Sequence, residues 1–405
     1  MKNEPKIRIK GFEGEWKECL FGSIMDCFSG GTPQANEQTY YGGGIPFIRS
    51  GEINDNNTSL FLSEKGLIYS SAKMIEKGTL LYALYGATSG EVSISRIKGA
   101  INQAILAIYP YKEYDKYFIK CWLEKNKAYI ISTYLQGGQG NLSGNIVKSF
   151  ILKTPQEIHE QRAIATYFRH IDSLIETADK KLASLKQVKE ASLQSMFPKE
   201  GQKVPEVRFK GFEGEWKTVQ LCDCLEVSKE RNLDNKYGIE DVLSVSDDSG
   251  VTNQIELLGR SFAGKSVSNY GILHEGEIVY TKSPLKSKPF GIIKRNNYKT
   301  GIVSVLYAIY KPHIDISSAY IHYYFSPSWR LNNYIHPLVN KGAKNTMNIS
   351  DETALMGYIP LPPTLSEQRK IASFFVHLDK QIAIAQQRLD LLRRIKSACL
   401  NEMFV

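Results

Sequence analysis

At 405 residues, with 42% apolar and 23% charged side chains, the chain has the composition of a globular protein long enough for two or three cores, which argues against a disordered chain. Lys plus Arg exceed Asp plus Glu by 51 − 42 = 9, which favours a polyanionic partner over an acidic small molecule. No apolar run approaches the ~20 residues a membrane span needs, and Met1-Lys-Asn-Glu-Pro lacks the apolar region of a secretion signal. A cytoplasmic protein with no membrane contact is expected.

The first element in chain order is a repeat. Lys10-Gly-Phe-Glu-Gly-Glu-Trp16-Lys17 recurs unchanged as Lys210-Gly-Phe-Glu-Gly-Glu-Trp216-Lys217, and each Trp is expected to anchor its domain's first strand. Residues 1–155 are rich in Gly, Tyr, Asn and β-branched residues, and the short apolar runs Leu80–Leu84 and Ile105–Ile108 predict strands broken by turns. A helical stretch is expected over Tyr117–Tyr134. Residues 156–198 then carry a heptad pattern through Ile164, Phe168, Ile171, Ile175, Ala178, Leu182 and Leu185, which predicts a helix of about 38 residues, roughly 57 Å long, ending at Phe197-Pro198.

Residues 199–361 repeat the strand-rich composition, with Ile302–Leu306 as a strand and Ser317–Tyr334 as a helical stretch. Residues 362–405 form a second long helix, entered through a Thr364-x-x-Glu367 capping box and carrying a seam at Ile371, Phe375, Leu378, Ile382, Ala385, Leu389 and Leu392. Aligned without a gap, Glu160–Phe197 and Glu367–Phe404 are identical at 17 of 38 positions, whereas the inserts between the repeated segments show no obvious similarity. The chain is a tandem duplication in which two constant frames hold two different inserts. Parallel pairing of the helices would force the second insert to bridge ~57 Å between its own ends, so antiparallel pairing is expected. The predicted fold is α+β: two mixed α/β domains separated by two long antiparallel coiled-coil helices in a pseudo-twofold dumbbell.

Several patterns suggest chemistry and fail on context. Gly259-Arg-Ser-Phe-Ala-Gly264-Lys265-Ser266 fits a phosphate-cradling loop, but Val267-Ser-Asn-Tyr-Gly271 after it is poor in helix formers, and such a loop must open a helix. His170-x-Asp172 and His377-x-Asp379 recur, yet residues two apart on a helix point about 200° from each other and cannot close on one metal ion. The six cysteines are scattered, and Cys222-x-Cys224 has no second pair, so reduced thiols and no metal site are expected. Glu160-Gln161-Arg162 and its repeat are expected to bond where each helix leaves its domain, or to a partner.

The duplicated variable region, each copy followed by a long helix that opens on Pro-x-x-x-x-Glu-Gln (Pro155 to Gln161, Pro362 to Gln368), resembles the specificity subunit of type I restriction-modification systems. Gly30-Gly31-Thr32-Pro33, Ile45-Pro46-Phe47-Ile48-Arg49-Ser50-Gly51, Gly140-Asn141-Leu142-Ser143 and Thr346-Met347-Asn348-Ile349-Ser350 carry the likeness, and it covers nearly the whole chain. The resemblance implies two target-recognition domains (1–155 and 199–361), each reading half of a split sequence in double-stranded DNA. It implies spacer helices (156–198 and 362–405) that dock two methyltransferase subunits, with restriction subunits of translocase and nuclease activity joining the assembly. S-adenosylmethionine, ATP and Mg are then expected on the partners and no cofactor on this non-catalytic chain. An enzyme acting alone is disfavoured because no Asn/Asp-Pro-Pro-aromatic string for methyl transfer is present; a coiled-coil scaffold with protein-binding ends is the other alternative.

Between Ile278 and Ile314 there is no acidic residue, while Lys282, Lys286, Lys288, Lys294, Arg295 and Lys299 lie among tyrosines. This is the expected phosphate-contact stretch, a solvated basic face being the alternative. In the first domain, Tyr85, Thr88 and Ser89 follow a strand into a small-residue turn suited to approaching a groove. Gln136, Gln139 and Asn141 carry amides of the kind that pair with adenine. Either segment is equally compatible with an ordinary surface loop. Two readers on one face of a duplex sit about one turn (~34 Å) or two turns apart, and helices of ~57 Å favour the first.

Overall fold

The computed structural model describes residues 3–135, 141–264, 266–282, 288–341 and 347–405. The chain forms two compact units, Met1–Lys180 with Gln386–Val405, and Lys181–Ala385. In the first, an antiparallel sheet has the strand order Met25–Ser29, Ile105–Pro110, Leu80–Ala83, Val92–Ile94. Side chains alternate across a strand, so the apolar run Leu80–Ala83 serves two cores at once. Leu80 and Tyr82 join Leu106, Ile108 and the helix Lys116–Tyr134 on one face; Leu81 and Ala83 join Ile48, Ile101, Ile105 and Ala107 on the other. A second sheet, Phe61–Leu62, Tyr41–Ile48, Gly99–Ile101, Lys73–Ile75, includes one parallel pairing, Phe47 opposite Ala100.

The second unit repeats this plan with unrelated residues. Its four-stranded sheet runs Leu225–Val227, Ala308–Pro312, Ile278–Tyr280, Ile293–Arg295. Ile278 and Tyr280 face one core, Val279 the other. A parallel bridge pairs Val242 with Ile302, where the first unit pairs Phe47 with Ala100. The duplication therefore extends through the inserts as topology, although their sequences do not show it.

Two expected elements are shorter than their apolar patterns suggested. The strand at Ile302–Leu306 ends at Val303, and Ser304–Leu306 form a turn closed by the Ser304 hydroxyl. The helix over Ser317–Tyr334 is two helices, Ser318–Tyr324 and Ser328–Ile335, because Pro327 lacks an N–H and disfavours helical backbone at Ser326.

The long helices run Ile158–Ser195 and Leu365–Met403. Ile164, Phe168, Ile171, Leu182, Ile371, Phe375, Leu378 and Leu389 are buried, and Ile175, Leu185, Ile382 and Leu392 are half-buried. In the first unit, the end of the second helix lies against the start of the first: Lys396 Nζ reaches Asp172 at 2.7 Å. In the second unit the roles exchange, and Lys189 Nζ reaches Asp379 at 2.6 Å. The aromatic closures correspond, since Phe404 packs on Phe168 (centroids 5.9 Å) and Phe197 stacks on Phe375 (6.1 Å).

The repeated opening segment explains itself at the same junctions. Arg8 makes a two-pronged contact with the buried Glu160 (2.8 Å each) and donates to the carbonyls of Glu13 and Gly14; Arg208 does the same with Glu367 (2.7 and 2.9 Å), Glu213 and Gly214. Gly11 and Gly14 take φ of +99° and +86°, and Gly211 and Gly214 take +94° and +82°, so this loop shape needs glycine twice in each copy. The capping box at Thr364 is only half formed: its hydroxyl accepts from Glu367 N at 3.2 Å, but the Glu367 carboxylate is committed to Arg208.

Candidate nucleic-acid interface

In the first unit, three loops converge at one end of the strand Leu80–Ala83. The loop Gly30–Pro33 lies directly on the strand Gly99–Ile101, where a Cβ on Gly30 would sit 1.8 Å from the Ile101 carbonyl oxygen, so no other residue allows the approach. This places Thr32 so that its hydroxyl donates to Gln103 Oε1 at 2.6 Å. Gln103 stands in the turn after Ile101, which Asn102 closes by accepting from Ala104 N. Leu84 N donates to Ala104 O, and Leu142 N donates to Leu84 O, both at 2.8 Å. Tyr85 pairs with Asn141 through the backbone, and burial pushes its phenol above its ordinary pKa.

Asn141 is exposed, Tyr85 and Thr88 are half-buried, and Ser89 is buried with its hydroxyl donating to Gly86 O at 2.9 Å. Ser89 therefore holds the turn between Gly86 (φ +83°) and Gly90 (φ +79°) from inside. Gln136 and Gln139 lie outside the described residues. Gln103, which the sequence analysis did not single out, is exposed at the centre of this surface. The signal for it was a polar Asn-Gln pair between two apolar strand runs.

In the second unit, most of the basic stretch is engaged inside the fold. Lys294 is buried in its strand, bonded to Asp247 Oδ1 at 3.0 Å and to the Asp247 carbonyl at 2.9 Å, and burial lowers its pKa. Lys288 reaches the other Asp247 oxygen at 2.5 Å. Although burial alone would raise Asp247, these two cations hold its carboxyl below the usual range. Lys282 pairs with Asp351 at 2.5 Å, and Arg295 bonds Ser318 and Asn297. Lys299 is exposed beside the Tyr298 ring; Lys286 lies outside the described residues. Tyr280 and Tyr310 are core residues whose hydroxyls donate to the carbonyls of Phe290 and Asp351.

At the helix junctions, the repeated residues divide by direction. Gln161 Oε1 caps the domain helix by accepting from Asp115 N at 3.0 Å, and Gln368 does the same from Ser317 N at 2.9 Å. Asp172 accepts from Tyr117 (2.5 Å) and Asp379 from Tyr323 (2.9 Å). Arg162, His170, Arg369 and His377, identical between the copies, are exposed instead. Lys265 of the phosphate-loop pattern lies outside the described residues, and among those that follow it no helix opens: residues 266–270 are coil and turn and Gly271–Leu273 is a strand.

A family model described as the type I restriction modification DNA specificity domain matches residues 13–187 and again 213–394. The type I restriction enzyme MjaIX specificity subunit of Methanocaldococcus jannaschii is 27% identical over 186 residues, which span 43% of this chain and 42% of that protein. The S subunit of a type I restriction-modification system from M. genitalium has a similar fold, with a TM-score of 0.63 at 14% identity over 99% of each chain. A chain from a study of complex assembly and conformational transition of the type I R-M system gives 0.51 at 14% identity, over 96% of this chain and 97% of that one.

Proposed function

The chain belongs to the family of type I restriction modification DNA specificity domains, and on that premise we propose that it is the sequence-specific DNA-binding specificity subunit of a type I restriction-modification complex. Each unit reads one half of a bipartite, asymmetric site in double-stranded DNA. The paired helices form the coiled-coil spacer of a pseudo-twofold dumbbell and set the gap between half-sites to about one turn (~34 Å). The chain carries no chemistry of its own. Modification subunits supply S-adenosylmethionine-dependent transfer to a flipped adenine, and restriction subunits supply ATP- and Mg-dependent translocation and cleavage. The work takes place in the cytoplasm, where the DNA is.

The observation that carries this reading is the pairing of one frame with two different inserts. Arg8–Glu160 and Arg208–Glu367, Lys396–Asp172 and Lys189–Asp379 build the same junction twice. Each junction leaves the same Arg and His facing solvent, which suits two copies of one partner docking on equivalent surfaces. The inserts share a topology and differ in surface chemistry, as two readers of different bases require.

Native mass spectrometry of the assembled complex tests the docking. The unaltered chain is expected to carry two modification subunits, Arg162→Glu or Arg369→Glu to carry one, and the double variant none, since reversing a desolvated interface charge costs about 2–5 kcal/mol. Two subunits retained on the double variant would contradict docking at these junctions.

A further inference from the structure

The turn after the strand Gly99–Ile101 has a counterpart after Gly301–Val303, and the two are built alike. A Cβ on Gly99 would lie 2.6 Å from the Pro46 carbonyl oxygen, and one on Gly301 would lie 2.6 Å from the Asp241 carbonyl oxygen, so both strands start with the same close approach. Asn102 Oδ1 accepts from Ala104 N at 3.1 Å, and Ser304 Oγ accepts from Leu306 N at 3.3 Å, so each turn is closed by the side chain at its first position. What differs is the tip. The first unit presents Gln103, whereas the second presents Val305 and Leu306, which are 53% and 64% exposed with no core to fill.

Gln103 is held rather than free. Its Oε1 accepts from the Thr32 hydroxyl at 2.6 Å. A carboxamide has two N–H donors and two acceptor lone pairs. With one lone pair engaged by Thr32, the second lone pair and an N–H donor remain available on an exposed, pre-ordered group. Fixing a long side chain in advance removes the entropy cost of ordering it on binding.

We infer that this turn is the base-reading tip of each unit, and that Gln103 selects adenine in the first unit's half-site by donating to N7 and accepting from the N6 amino group. The inference rests on the proposed DNA-reading role and names the atoms through which it acts. Adenine is the base whose major-groove edge offers one acceptor beside one donor in the spacing of a carboxamide. Val305 and Leu306 can neither donate nor accept through their side chains, so the second unit's tip is matched to a thymine methyl. A neutral amide also adds nothing to counterion release, so its effect appears in base choice and not in the salt dependence of binding.

The test is selection from a library of randomised duplexes by the complex recovered from its own cells through the full-length chain. With Gln103→Ala, one adenine position in one half-site is expected to lose roughly 10- to 100-fold discrimination, the other half-site being unchanged. Gln103→Glu, which keeps the acceptor and lacks the donor, loses the same adenine preference. Thr32→Val, which frees the amide without removing it, weakens the same position by a smaller factor. Unchanged selection by both Gln103 variants would overturn the inference, as would an equal loss of affinity for every sequence, which marks a structural or phosphate-contact role. If the unaltered complex selects no sequence at all, it is the DNA-reading role that fails.

Discussion

Phe404→Ala is expected to lower the melting temperature of the first unit by roughly 6–20 °C and leave the second unit nearly unchanged, with Phe197→Ala doing the reverse. Phe404 is 3% exposed and lies against Trp16, Phe118 and Phe168 at centroid distances of 6.1, 5.0 and 5.9 Å. A buried Phe→Ala change leaves a cavity where the ring was and costs about 3–5 kcal/mol, each kcal/mol being worth about 2–4 °C for a unit of this size. Phe197 occupies the matching position against Tyr320, Tyr324 and Phe375. Hydrogen exchange read segment by segment separates the two units. A shift of both units by the same amount in either variant would contradict the separate closure of the two cores by these rings.

Grafting residues 1–155 from a related protein is expected to replace one half-site and leave the other untouched. The exposed residues of the first reader, Thr32, Gln103 and Asn141, all lie within that segment, whereas Glu160 and Asp172, which receive it, are part of the repeated frame. A graft that keeps the counterparts of Arg8 and Tyr117 retains both contacts to the frame, so geometry is preserved while base contacts change. Specific sites commonly bind 10³-fold or more above random DNA, and a changed half-site forfeits most of that on the original sequence. Selection of duplexes by the chimera reads the result. A change in both half-sites would refute independent reading by the two units.

What could be read from the sequence, and what could not, follows from which interactions are local. The heptad spacing through Phe168 and Leu182 predicts a helix face because neighbours on that face are three and four residues apart. The exchange of Lys189 and Lys396 onto Asp379 and Asp172 lies in the same aligned segments, but a salt-bridge partner distant in the chain leaves no local pattern. The basic stretch shows the converse case. Linear charge says nothing about direction, and the alternation of the strand Ile293–Arg295 turns Lys294 inward to Asp247. The shared topology of the inserts escaped because short strands are specified by alternation alone, which many unrelated residues satisfy. Gln103 escaped because Thr32, which holds its carboxamide, is brought beside it only by folding.

The most direct measurement is a map of methylated adenines in DNA from cells that carry this chain together with its modification subunit. An asymmetric element in two unlike parts, centred about one turn (~34 Å) apart with a fixed gap, is the expected result. A single continuous palindrome would contradict it, because two units whose tips differ as Gln103 differs from Val305 cannot read the same half-site twice.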